Sequence, residues 1–170
     1  MSPAFLEASL AGDRDAAARA IGLAIPADWP DERHVLEMRL AQLREDPRLA
    51  EWLMRAITPR NEARMIGHVG FHTAPGQDYL RELSPGGIEL GYTIFEAERR
   101  HGYAAEAIRA LIGWARASHG LQRFVVSIRP DNEPSLRLAR KLGFTHHIGS
   151  HVDEVDGPED VYELRFDLTS

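Results

Sequence analysis

Apolar residues change their spacing several times along the chain, and each change marks a new element. Residues 3–21 (PAFLEASLAGDRDAAARAI) are rich in Ala and Leu and predict helix, interrupted at Gly12. AIPADWP at 24–30 is a break. Over 31–46, Val35, Leu36, Leu40 and Leu43 fall on one helical stripe behind Asp31 and Glu32, acidic residues suited to a helix start, and Pro47 ends it. The texture then turns to strand. Residues 49–58 (LAEWLMRAIT) are expected to form the first long strand, 59–62 (PRNE) a turn, and 65–72 (MIGHVGFH) the partner strand of a hairpin. Residues 73–87 read as a loop. At 87–95 (GIELGYTIF), β-branched and aromatic residues surround Gly91, and a glycine inside a strand marks a bulge or a close backbone approach.

The period becomes helical over 103–119, where Ala104, Ala107, Ile108, Leu111, Ile112 and Ala115 share a face opposite Glu106, Arg109 and Arg116. Gly120 is a natural C-cap. Residues 123–128 (RFVVSI) are apolar on both faces, as a central strand must be. Asp131 or Asn132 caps a helix with Pro134 in its first turn, which runs to about Leu142 and stops at Gly143. Two strands follow, 144–151 and 161–168, around an acidic loop (DEVDGPED). The order is helices, a β-meander, then β-α-β-α-β-β. A strand–helix–strand crossover joins parallel strands, so the sheet is mixed with a parallel element at its centre.

Composition narrows the function classes. The chain has 170 residues and neither repeats nor a linker, so one domain spanning 1–170 is expected. With no cysteine there is no disulfide scaffold, thiolate zinc site or thiol nucleophile. Lys and Arg total 20 against 26 Asp and Glu, a net −6, which disfavours nucleic acid as a partner and slightly favours a cationic one. No stretch approaches 18 apolar residues, and residues 1–15 lack the basic and apolar regions of a signal peptide, so neither a membrane span nor export is expected. The expectation is a cytoplasmic protein, monomer or homodimer.

The chemistry is concentrated where strand 87–95 gives way to helix 103–119. Arg99-Arg100-His101-Gly102-Tyr103-Ala104 places a glycine-bearing turn and two arginines at a helix N-terminus, an arrangement that gathers backbone amides and positive charge for an anion. It is neither a dinucleotide fingerprint (no GxGxxG) nor a Walker loop (no GK[ST]). Asn132-x-x-Ser135 opens the later helix and Leu142-Gly143-Phe144 closes it.

With these motifs, from about Ile66 to Gly149, the chain resembles the GCN5-related N-acetyltransferases (GNAT), in particular the group around the ribosomal-protein N-terminal (alanine) acetyltransferases. Arg99, Gly102 and Ala104 match that family's pyrophosphate loop, and Glu89 with Gly91-Tyr92 its preceding strand. The resemblance implies an α+β fold: a mixed, mostly antiparallel twisted sheet with a central splayed parallel strand pair and helices on both faces. The family opens with a strand, but 5–10 here reads as helix. The implied cofactor is acetyl-CoA, with CoA as product. Arg99, Arg100, His101, Gly102, Tyr103 and Ala104 would hold its pyrophosphate, Tyr92, Thr93 and Ile94 would line its pantetheine arm, and Asn132 would bond a pantetheine amide. The implied reaction is direct attack of a primary amine in a ternary complex. Glu89 is the base by this reading. Ser135 protonates the departing thiolate, because Ala139 stands where many members carry a tyrosine. Trp29 and Trp52 lie in segments that form the family's acceptor cleft. The implied acceptor is a small-molecule amine (an aminoglycoside, a polyamine or an amino acid) or a protein N-terminus. The second reading is a non-catalytic acyl-CoA-binding sensor of the same fold.

No metal site is expected. His68 and His72, four apart on a strand, would stand about 13–14 Å apart. His146, His147 and His151 flank the acidic loop and read as solvated strand-edge residues.

Overall fold

The computed structural model describes residues 1–30, 32–76, 80–153, 155 and 157–166. Asp31, expected at a helix start, and Leu168, expected in the last strand, lie outside the described residues, as do Glu154 and Asp156 of the acidic loop.

In chain order the helices are α1 (Pro3–Leu10), α2 (Arg14–Ile21), α3 (Arg33–Glu45), α4 (Leu80–Leu83), α5 (Tyr103–His119) and α6 (Glu133–Leu142). The strands are β1 (Arg55–Ile57), β2 (Gly67–Phe71), β3 (Ile88–Ile94), β4 (Arg123–Ile128), β5 (His146–Asp153) and β6 (Gly157–Arg165). They form a six-stranded sheet in the order β1-β2-β3-β4-β6-β5, with one parallel pair, β3 with β4. The chain is shared between two compact units, Met1–Gly70 with Tyr92–Tyr103, and Phe71–Gly91 with Ala104–Ser170.

The first unit is built on the N-terminal helices. Ser2 caps α1 by accepting from Phe5 N, and the segment is a helix, as its sequence reads. Asp13 restarts the chain as α2 by accepting from Ala16 N. The core joins Phe5, Leu6, Leu36, Leu40 and Leu43 of these helices to Leu53, Met54, Met65 and Phe95. Strand β1 pairs antiparallel with β2, Arg55 opposite Val69 and Ile57 opposite Gly67. The long strand expected over 49–58 is not formed. Asp46 accepts from Arg48 N, and Pro47, with its fixed φ, heads a 3₁₀ turn over Pro47–Glu51. Trp52 and Leu53 turn inward from it, which leaves only three residues of strand.

In the second unit, β4 is the covered strand: Phe124, Val125, Val126 and Ile128 are all buried, on both of its faces. It pairs antiparallel with β6 from Arg123↔Arg165 to Ile128↔Asp160. Helix α5 turns Ala105, Ile108, Leu111, Ile112 and Ala115 inward. Phe71 stacks on Phe124 at 6.4 Å, and Phe166 meets Phe124 edge-on at 6.0 Å. The expected loop 73–87 contains α4, whose Leu80 packs with Val125 and Val161.

The acidic loop is shorter than its composition suggests, because β6 already starts at Gly157. Glu159 and Asp160 sit opposite His151 and Ser150, and Ser150 Oγ donates to Asp160 Oδ1 at 2.7 Å. Cross-strand donors compensate the carboxylates there, so these residues tolerate strand. The register shift in this sheet falls between His147 and Gly149 of β5.

Phe124→Ala removes a fully buried ring from between two others. We expect it to cost about 3–5 kcal/mol in urea unfolding, with the m-value unchanged.

Candidate active site

The candidate anion loop follows β3 directly. A 3₁₀ turn at Glu96–Glu98 leads to Arg99, whose Nε donates to Ile94 O at 3.0 Å and ties the loop back to the strand that precedes it. Arg64 is held in an ion pair with Glu98, and Glu62 joins from the other side. Arg100 has φ +69° and Gly102 φ +84°, both left-handed, and the chain passes at once into the 17-residue α5. Such a conformation costs Arg100 free energy that a glycine does not pay. The backbone turns in this way to meet the first turn of α5, whose four leading N–H groups have no intrahelical acceptor. Arg99, Arg100, His101 and Gly102 are exposed, and a Cβ built on Gly102 meets nothing within 4 Å. His101 packs its ring on Tyr103 at 5.6 Å. Exposed cationic side chains, open space at the glycine and a helix dipole suit a pyrophosphate.

Of the other residues implied for the cofactor, Tyr92 and Thr93 are half-buried, and Thr93 Oγ1 lies 3.4 Å from Glu32 Oε1. Ile94 is buried and lends its carbonyl to Arg99. Asn132 is the N-cap of α6, its Oδ1 accepting from Ser135 N at 3.2 Å. Ser135 is half-buried in the first turn of that helix, and Ala139 is in the core. Trp29 is 5% exposed. Its Nε1 donates to Ser9 Oγ, and its ring packs with Phe5, His68 and Phe95. Trp52 is 7% exposed, so both indoles leave little surface for a ligand.

Glu89 is a buried polar residue of the second unit. It is 3% exposed on β3, in the last registered pair of the parallel ladder, opposite Val125. Its Oε2 lies 3.0 Å from His72 Nδ1, and its backbone O accepts from His72 N at 3.0 Å. Burial pushes the carboxyl pKa upward, but the charge and hydrogen bond of His72, the Ser127 hydroxyl and the charge of His151 outweigh it. The pKa therefore lies below the ordinary carboxylate value. Ser127 Oγ on β4 is buried and, among the described residues, makes no bond of normal hydrogen-bond geometry, so its contact with the carboxylate is a weak one. His151 pairs in turn with Glu159 at 3.5 Å.

The sequence pattern singled out Glu89 but not its partners. The sequence offered His72 only as one of two strand histidines too far apart to share a metal, and His151 only as a solvated edge residue. What brings them to Glu89 is strand register, which no local signal carries. Gly91 explains itself at the same place: a Cβ there would stand 2.9 Å from His72 Nε2, so the glycine makes room for the imidazole. No group of residues among those described is arranged to hold a metal ion.

With the fold and this geometry in view, the comparisons with known proteins are specific about class. Residues 3–145 match the acetyltransferase (GNAT) domain family, and the chain belongs to it. The uncharacterized N-acetyltransferase YoaA of Bacillus subtilis is 34% identical over 104 residues, which are 61% of this chain and 53% of that protein. The chain thus spans about half the length of the curated relatives it matches. Among solved structures, the ribosomal-protein-S5-alanine acetyltransferase of Vibrio fischeri superposes with a TM-score of 0.62 at 16% identity, over 99% of this chain and 90% of that one. The microcin C7 self-immunity acetyltransferase MccE, solved in complex with acetyl-CoA and AMP, superposes with 0.60 at 18% identity, over 97% and 89%. At these identities the two structures speak for the fold.

The lowered pKa of Glu89 has a stability consequence. A group whose folded pKa is depressed stabilises the protein fully above its unfolded value and loses that contribution as pH falls through the folded one. Between neutral pH and acid, wild type should therefore lose more unfolding free energy than Glu89→Gln does. Denaturant titrations of both proteins from pH 7 to pH 3 measure the difference.

Proposed function

We propose that this protein is an acetyl-CoA-dependent N-acetyltransferase that acts on a primary amine by direct attack in a ternary complex. The observation that carries this reading is the left-handed Arg100–Gly102 turn running into α5, inside a chain whose residues 3–145 match the family. Acetyl-CoA supplies an activated acyl thioester. The residues fit its polyanionic end: Arg99, Arg100 and His101 are exposed, Gly102 offers open space, and Tyr103 and Ala104 begin the helix. Tyr92, Thr93 and Ile94 offer strand backbone to the pantetheine arm. Asn132 spends its oxygen on the helix cap, so it would serve the arm through its NH₂. Ser135 would give a proton to the departing sulfur. Trp29 and Trp52, so little exposed, would act as walls behind the acceptor and meet it only with ring edges.

The acceptor is a small-molecule amine or a protein N-terminus, consistent with relatives such as the one named for the alanine of ribosomal protein S5. We place the protein in the cytoplasm, as a monomer or homodimer, without nucleic-acid or membrane partners. No described helix is long and apolar enough to cross a membrane.

A ligand of the native state raises its melting temperature. At about 100 times Kd the gain is about 2.7 kcal/mol, or roughly 5–10 °C for a chain of this size. Millimolar acetyl-CoA should give such a shift, and its absence would overturn this reading. Gly102→Ala and Gly102→Glu both pay for the left-handed φ. Only the carboxylate also repels phosphate, so acetyl-CoA should still stabilise the alanine variant and fail to stabilise the glutamate one.

A further inference from the structure

We propose that His72 is the catalytic base of this enzyme and that Glu89 is its positioning residue, an imidazole–carboxylate pair that takes the proton from the acceptor amine. The inference rests on the acetyltransferase reading above and assigns a step within it.

The two side chains are unequal, and the difference assigns their roles. Glu89 is 3% exposed, so its carboxylate has almost no surface through which to meet an amine or a catalytic water. The side chain of His72 is 38% exposed. An ionised carboxylate only accepts hydrogen bonds, so the 3.0 Å contact fixes the neutral imidazole with its proton on Nδ1. The lone pair then sits on Nε2, the atom that passes over Gly91, where even one methyl group would crowd it. Keeping a buried carboxylate charged is costly unless its partners compensate it. Among the described residues, the titratable groups facing this one are His72 beside it, at the end of β2, and His151 on β5, itself paired with Glu159 on β6; the Ser127 hydroxyl of β4 adds a weak contact. Such an arrangement orients an imidazole and stabilises the imidazolium formed when it takes a proton.

The chemistry balances. Nε2 takes one proton from the acceptor's ammonium and frees the nitrogen lone pair, which forms the C–N bond as the acyl C–S bond breaks. Ser135 gives its proton to the departing sulfur, the second proton of that nitrogen restores the serine hydroxyl, and the imidazolium returns its own to water.

The first test needs no acceptor. In ¹⁵N-labelled protein, with the His72 signals assigned by their loss in His72→Gln spectra, the neutral ring should carry its proton on Nδ1. A neutral ring protonated on Nε2 overturns the assignment. The second test uses acetyl-CoA with a panel of polyamines, aminoglycosides, amino acids and N-terminal peptides. His72→Gln should lower kcat/KM about 10²-fold or more at neutral pH, with the loss shrinking toward the amine's own pKa. It should keep the thermal shift given by acetyl-CoA. Glu89→Gln, which keeps the shape and removes the charge, should change the pH profile of kcat and leave the acetyl-CoA shift in place. Gly91→Ala should lower kcat by displacing the ring. Wild-type pH profiles in His72→Gln, with acetyl-CoA still bound, would sink the pair alone. Loss of acetyl-CoA stabilisation in wild type would sink the underlying reading and leave the tautomer result standing.

Discussion

A carboxylate that is almost completely buried and still ionised constrains its whole neighbourhood. Glu89 stands where the parallel ladder of β3 and β4 has its last registered pair. Ionised there, it requires donors or positive charge from more than one direction, because an uncompensated ion in the interior costs several kcal/mol. His72 comes from the end of β2, Ser127 from β4 and His151 from β5. Three segments distant in sequence thereby bear on one carboxylate, His72 by direct contact, and the glycine at position 91 follows from the space that the imidazole needs.

The second constraint is the passage from β3 into α5. An extended strand must become a helix within eight residues, and the chain does so through left-handed Arg100 and Gly102. The turn that makes the connection also leaves amides at a helix N-terminus beside exposed arginines. The connection and the proposed anion site are therefore one structure.

Much of the architecture was legible in the sequence. The helices over 103–119 and 133–142 and the strand over 123–128 follow from period, caps and two-faced burial. The Gly12 interruption separates α1 from α2 as its position implies. The misreadings have particular causes. LAEWLMRAIT has strand composition, but Pro47 and the Asp46 cap impose a turn on its first residues. Acidic Glu159 and Asp160 read as loop, although cross-strand His and Ser partners keep them in β6. Local composition cannot register a partner on another strand.

The same division runs through the candidate active site. By itself the sequence determined what is local: the turn with its glycine, the helix dipole behind it, the Asn132 cap and the identity of Glu89. These depend on residues within a few positions of one another, where φ preference and side-chain reach act directly. Only the tertiary structure decided that Glu89 is buried, that it stays charged and that His72 covers it. Burial and charge compensation depend on strand register across the sheet, and a shift of one residue would turn every one of these side chains to the other face.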